Sequence, residues 1–175
     1  MALPWPANGS GNVAVSQAGS GKPWATVQSL AAVPLKAPLF AGYTVKRSVT
    51  AVSQKAAPAW TRGDVVRVRL EVEAAADMSW VVVSDPLPTG ATVVAGTLES
   101  EDERQTAEAW PSYIERSFAA WRAYYDYLPK GRHVLEYTVR LNNAGRFQMP
   151  STRVEAMYAP DRFGEAPNAG VEVKP

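Results

Sequence analysis

With 18 basic against 17 acidic residues in 175, the chain carries a formal charge of +1, too little to attract nucleic acid or an anionic membrane through a global field. No apolar run approaches the roughly 20 residues that span a bilayer, and Met1–Trp5 has neither a basic nor an apolar leader region, so neither direct membrane insertion nor an export signal of its own is expected. The absence of cysteine excludes disulfides, thiol nucleophiles and thiolate metal ligands, and leaves the compartment open.

The first 34 residues differ in kind from the rest. They open with a Pro- and Gly-rich stretch, and NVAVSQ and PWATVQSLAAV then form a hairpin-like pair around AGSGKP. From Tyr43 onward the pattern is that of an all-β protein. Over Tyr43–Thr50, Val45 and Val49 alternate with Thr44, Lys46 and Ser48. Asp64–Glu73 alternates cleanly, with Val66, Val68, Leu70 and Val72 on one face and Arg67, Arg69, Glu71 and Glu73 on the other, the mark of a half-buried antiparallel strand. Met78–Val83 adds a further strand, ending at the Pro and Gly corner Asp85–Gly90.

Ser112–Leu128 reads in two ways. Ile114, Phe118, Trp121, Tyr125 and Leu128 fall at helical spacing, and Ser112 with Glu115 makes a capping-box pattern behind Pro111, so a short helix around residues 112–122 stays open. Trp121–Tyr127 is also rich in aromatics, which favour strands once tertiary pairing is available, and strands are the expected outcome. Beyond the corner Pro129–Gly131, Arg132–Leu141 alternates again, with Leu135, Tyr137, Val139 and Leu141 opposite Glu136, Thr138 and Arg140. The corner Asn142–Gly145 leads to a strand at Thr152–Met157. Short strands separated by such corners predict an antiparallel β-sandwich.

Chemistry is sparse. His133, the one histidine, is expected at a surface strand position, with no nucleophile motif such as Gly-x-Ser-x-Gly to pair with. A zinc site would need three carboxylates beside it, a set zinc rarely accepts. The acidic run Glu99, Glu101, Asp102 and Glu103 lacks the glycine and ligand spacing of a calcium loop and reads as a solvated loop. No cofactor, metal or catalytic residue is therefore expected. Six tryptophans and seven tyrosines admit a carbohydrate-binding or adhesin-type sandwich as the alternative function. Trp60, Trp80 and Trp121, however, fall within or beside strands where large rings fill a core. Met157, Tyr158, Ala159, Pro160, Asp161 and Arg162 follow what reads as the last core strand. Met and an aromatic on a loop stiffened by proline suit an interface, or else Tyr158 closes the edge of the sandwich.

Three stretches in order carry a family resemblance: AAVPLKAPLFAGYTVKRSV, VVVSDPLPTGATVVAGTLE with its DPLPxG corner, and YDYLPKGRHVLEYTVRLNNAGRFQMPSTRVEAMYAPDRFGE. Together they resemble the C-terminal, receptor-binding-like macroglobulin domain of bacterial alpha-2-macroglobulins. The resemblance implies a sandwich of macroglobulin (fibronectin-like) type over residues 35–175, with residues 1–34 as the returning strands of a CUB-like domain and a linker. In Ser112–Leu128 it implies a strand, a tight turn and a second strand ending in DYLPxG, with Phe118, Ala119 and Ala120 where relatives carry a charged turn. It further implies a non-catalytic part of a broad-spectrum protease trap in the periplasm, whose parent is open to a lipid anchor. Met157, Tyr158, Pro160, Asp161 and Arg162 would then pack against the thioester domain and move when the trap is sprung. The partners are the other domains of the parent chain and the proteases that the whole trap captures. The Cys-x-x-Gln thioester of trapping relatives lies in a separate helical domain, so this chain cannot form that bond.

Overall fold

The structure is a computed structural model that describes residues 11–28, 34–96 and 109–175, and the chain divides into two compact units, Met1–Val33 and Pro34–Pro175. The described residues 11–28 carry no strand, so the hairpin read from NVAVSQ and PWATVQSLAAV is not formed among them. Val13, Val15, Trp24 and Val27 are exposed there. The acidic run Glu99–Glu103 lies outside the described residues.

The described residues of the second unit form an all-β fold. Its strands are β1 (Leu39–Ala41), β2 (Tyr43–Ser53), β3 (Trp60–Thr61), β4 (Val65–Ala74), β5 (Met78–Pro86), β6 (Thr92–Gly96), β7 (Tyr113–Arg116), β8 (Ala120–Leu128), β9 (Gly131–Arg140), β10 (Gly145–Phe147), β11 (Thr152–Ala156), β12 (Ala159–Ala166) and β13 (Val171–Lys174). They form a six-stranded sheet ordered β1-β12-β11-β5-β8-β7, a four-stranded sheet ordered β2-β4-β9-β6, and a small sheet β10-β13-β3. Every pairing in the two large sheets is antiparallel, whereas β13 and β3 run parallel. The fold is an antiparallel sandwich, as the strand periodicity predicts.

The chain passes from one large sheet to the other between β1 and β2, at Gly42. Its φ of +100° is a backbone state that side chains rarely tolerate. The two sheets also come close at Gly164 of β12, where a Cβ would lie 2.5 Å from the Tyr43 carbonyl oxygen. Only glycine fits that approach.

Strand alternation places the core. Val66, Val68, Leu70 and Val72 of β4 meet Leu135, Tyr137 and Val139 of β9, and all are buried. From the opposite sheet come Val81 and Val83 of β5, Trp121, Ala123 and Tyr125 of β8, and Val154 of β11. Full burial of each large aliphatic side chain stabilises by about 1.5–3 kcal/mol before entropy is counted. Between the sheets Trp121 stacks on Tyr137, with centroids 4.7 Å apart and planes 7° from parallel.

Of the two readings of Ser112–Leu128 the expected strands form, and several other expectations need correction. No helix forms around residues 112–122: β7 and β8 pair as a hairpin, with Tyr113 opposite Tyr124 and Arg116 opposite Trp121. The Ser117 hydroxyl closes the turn by donating to the Ala120 carbonyl at 2.9 Å and accepting from the Ala120 amide at 3.1 Å. Phe118, which helical spacing counted among the apolar face, stands exposed at the turn. A sheet edge that needs partners outweighs a local capping pattern. Val49 is exposed although Val45 is buried. The later residues of β2 are exposed, and Val49 lines an open cleft with Trp60, Leu87 and Pro167.

His133 is not at the surface. It shares the core face of β9 with Leu135, is 8% exposed, and its Nε2 lies 2.8 Å from the Pro129 carbonyl oxygen. Finally, Thr152–Ala156 is not the last core strand, because β12 and β13 follow and contribute buried Ala166 and Val173. Of the three tryptophans expected in the core, Trp121 is fully buried, Trp60 is partly buried against it, and Trp80 is half exposed.

Candidate functional site

One end of the six-stranded sheet gathers three exposed aromatics, Trp80, Tyr127 and Tyr158. Met78 at the start of β5 pairs with Leu128 at the end of β8, and Val81 pairs with Ala156 at the end of β11. The β8–β9 turn and the β11–β12 turn therefore meet beside the start of β5. Met157 and Tyr158 form the tight turn between β11 and β12. Pro160, Asp161 and Arg162, expected on a loop, lie on β12 and are exposed. Arg162 Nε approaches Asp161 Oδ2 at 3.7 Å. The Arg162 side chain passes over Gly42, where a Cβ would meet its Cδ at 3.2 Å.

Tyr158 is 79% exposed and Met157 49% exposed, so Tyr158 does not close the edge of the sandwich. Its ring meets the Trp80 indole edge to face, with centroids 6.3 Å apart and planes 86° apart. The Met157 amide donates to the Trp80 carbonyl at 2.8 Å. Tyr158, Trp80, Tyr127, Met78 and Asp77 together line a shallow depression at this rim. Asp77 organises its floor by accepting from the Lys130 amide at 2.8 Å. That hydrogen bond, joined by one from the Tyr127 hydroxyl, holds the Asp77 carboxyl below the usual range and raises the Tyr127 hydroxyl. The rings meet at right angles, so they present an edged apolar relief rather than the coplanar platform on which a sugar face would lie.

Trp80 also carries the one left-handed backbone among the described non-glycine residues, with φ +58°. A bulky side chain in that region costs on the order of 1–3 kcal/mol. It coincides with a break in alternation: Met78 packs on the core and Val81 is buried, while Ser79 and Trp80 between them face out. Residues three apart on a regular strand face opposite ways, so the left-handed residue resets the phase.

The opposite character is found in the interior, at the aspartate of the DPLPxG corner. Asp85 is fully buried and accepts from Arg47 Nε at 2.9 and 3.0 Å, one bond to each carboxylate oxygen. It also accepts short hydrogen bonds from the hydroxyls of Tyr137 and Thr152. Burial, with the Asp85 charge beside it, pushes the Tyr137 hydroxyl well above its ordinary range. Asp85 and Thr152 belong to the six-stranded sheet, Arg47 and Tyr137 to the four-stranded one. The cluster therefore ties the two sheets together, and its Arg47 also lines the open cleft of Val49, Trp60 and Leu87.

The fold has counterparts in known proteins. A model of the bacterial alpha-2-macroglobulin MG10 domain matches residues 42–161. The chain belongs to this family. The MG10 match falls wholly within the second unit, Pro34–Pro175. An alpha-2-macroglobulin homolog of Nostoc sp. is 30% identical over 105 residues, 58% of this chain and 6% of the relative. Native Escherichia coli alpha-2-macroglobulin, solved from domain MG7 to the C-terminus, has the same fold with a TM-score of 0.67 at 23% identity, over 81% of this chain and 25% of that one. The E. coli protein activated by porcine elastase gives a TM-score of 0.65 at 23% identity, over 79% of this chain and 14% of that one. This chain thus spans a small fraction of each relative, one MG10 domain with a short segment before it.

Sequence reasoning named the turn residues Met157 and Tyr158 but missed Trp80, Tyr127 and Asp77, which complete the rim. The parity of β5 held a signal. Trp80 falls on the same parity as Val82 and Ser84, opposite to Val81, Val83 and the corner aspartate, which marks it as an outward residue.

Proposed function

We propose that this MG10 domain is a non-catalytic docking part of a longer protease-trapping chain, held in the resting state by contact between its β11–β12 hairpin and the thioester domain. The observation that carries this reading is Tyr158, a large ring 79% exposed at the tip of a hairpin whose backbone is fixed by hydrogen bonding to β5. An aromatic on a rigid support is what an interface uses as an anchor, because little entropy is lost when it docks. Met157 beside it and Pro160, Asp161 and Arg162 along β12 extend the same face, supplying an apolar centre and a polar margin.

The domain's share is packing and movement. The E. coli relative matches this fold in both its native and its elastase-activated form, with TM-scores of 0.67 and 0.65, which suits a domain that shifts as a rigid body while its contacts change. Trapping of proteases, in a periplasmic parent, is the work of the whole chain.

The test uses the full-length protein that contains this domain. Tyr158→Ala should leave the domain folded and make the resting protein more sensitive to limited proteolysis. A Tyr158→Ala protein with the wild-type proteolysis rate and pattern would overturn the reading.

A further inference from the structure

We propose that Trp80 is a positioning residue for Tyr158: its indole fixes the rotamer in which the tyrosine ring is presented, and the left-handed backbone at Trp80 persists because it aims the indole at the hairpin tip. The inference rests on the docking reading above, and its test is independent of that reading.

Three observations converge on Trp80. Its φ of +58° resets the phase of β5 so that Met78 and Val81 both face the core. Glycine or asparagine would make that reset with less steric cost, because both tolerate the left-handed region. A tryptophan there is explained by its side chain, not by its backbone. The indole is half exposed, so core packing does not account for it either.

What the indole does touch is Tyr158, edge to face at 6.3 Å. The Trp80 carbonyl meanwhile accepts the Met157 amide at 2.8 Å. One residue therefore holds the hairpin twice, by its backbone below the tip and by its ring against the tip. The two roles are separable, because replacing the side chain leaves the carbonyl in place. An exposed tyrosine free of the indole would sample several staggered rotamers. Held by it, the ring is ordered before the partner arrives, and docking loses less side-chain entropy.

The experiment measures the three-bond couplings from the backbone amide nitrogen and carbonyl carbon to Tyr158 Cγ in the 175-residue chain. Wild type should show the coupling pair of one χ1 rotamer. Trp80→Gly should retain the amide spectrum of the folded sandwich and give couplings averaged over rotamers. Trp80→Asn should do the same, and serves if the glycine variant fails to fold. Trp80→Phe, which keeps an aromatic ring, should return the single-rotamer pair. Couplings unchanged in a folded Trp80→Gly or Trp80→Asn protein, couplings already averaged in wild type, or a Trp80→Phe protein that stays averaged would each overturn the proposal. Proteolysis of the full-length Tyr158→Ala protein decides only the docking reading, so failure of one is distinguishable from failure of the other.

Discussion

Two aromatic pairs define two ends of the molecule's behaviour. Trp121 and Tyr137 lie face to face at 4.7 Å, 0% and 1% exposed, and the Tyr137 hydroxyl is bound to a buried carboxylate that joins both sheets. Trp80 and Tyr158 meet edge to face at 6.3 Å, 50% and 79% exposed. The first pair is surrounded by strands and its Tyr137 hydroxyl is satisfied within the fold, so its energy is folding energy. The second is supported from below, leaves most of its surface uncovered, and sits beside a left-handed residue. Ring chemistry is the same in both. What separates structure from recognition is whether the fold covers the contact area or leaves it for another surface.

The sharpest way to break the comparison is to attack the interior. Asp85→Ala should cost about 3–5 kcal/mol, because Arg47, only 15% exposed, is left as an uncompensated buried charge. Urea unfolding reads the loss, and a midpoint close to wild type would mean the cluster does not tie the sheets. Next come two paired core positions of the four-stranded sheet. Leu70→Ala and Leu135→Ala should each cost about 2–5 kcal/mol through the cavity left between packed strands. Arg69→Ala, on the outward face and paired with Glu71 and Glu136, should cost under about 1 kcal/mol. Equal midpoints for the three variants would show that the faces of β4 and β9 are assigned wrongly.

The smallest effect belongs to the rim. The Asp77 carboxyl is held low by the Lys130 amide and the Tyr127 hydroxyl. A carboxyl with a depressed folded pKa stabilises above its unfolded value, near pH 4, and that contribution fades as pH falls through the folded value. Acidification below about pH 4 should therefore shift the Lys130 amide and Tyr127 ring resonances together with the Asp77 carboxyl carbon, while the Leu70 and Leu135 methyl resonances hold. Simultaneous movement of those methyls would show that rim and core are one cooperative unit.

Much of the fold was legible because it is local. Along β4 and β9 every second residue is apolar, and a period of two has one physical meaning on a pleated strand. The DPLPxG corner could be read as a turn, yet its aspartate could not be read as a buried ion pair. Its partners Arg47, Tyr137 and Thr152 come from three other strands, and only pairing brings them within reach. The same holds at the rim: Met157 and Tyr158 stand out in the sequence, while Trp80 becomes relevant only when β5 is laid beside β11.

By itself the sequence determined the all-β class, the inward faces of the central strands and the family, because alternation, corner residues and motif order are written in consecutive positions. Tertiary structure settled the two readings of Ser112–Leu128 in favour of the expected strands, since a segment whose apolar residues satisfy both periods takes the form that gives its backbone partners in the sheet. It alone decided that His133 is buried, that Val49 is not, and that the outward Trp80 stands beside Tyr158. Each of those outcomes depends on what the neighbouring strand or the opposite sheet covers, and coverage is a property of the assembled sandwich.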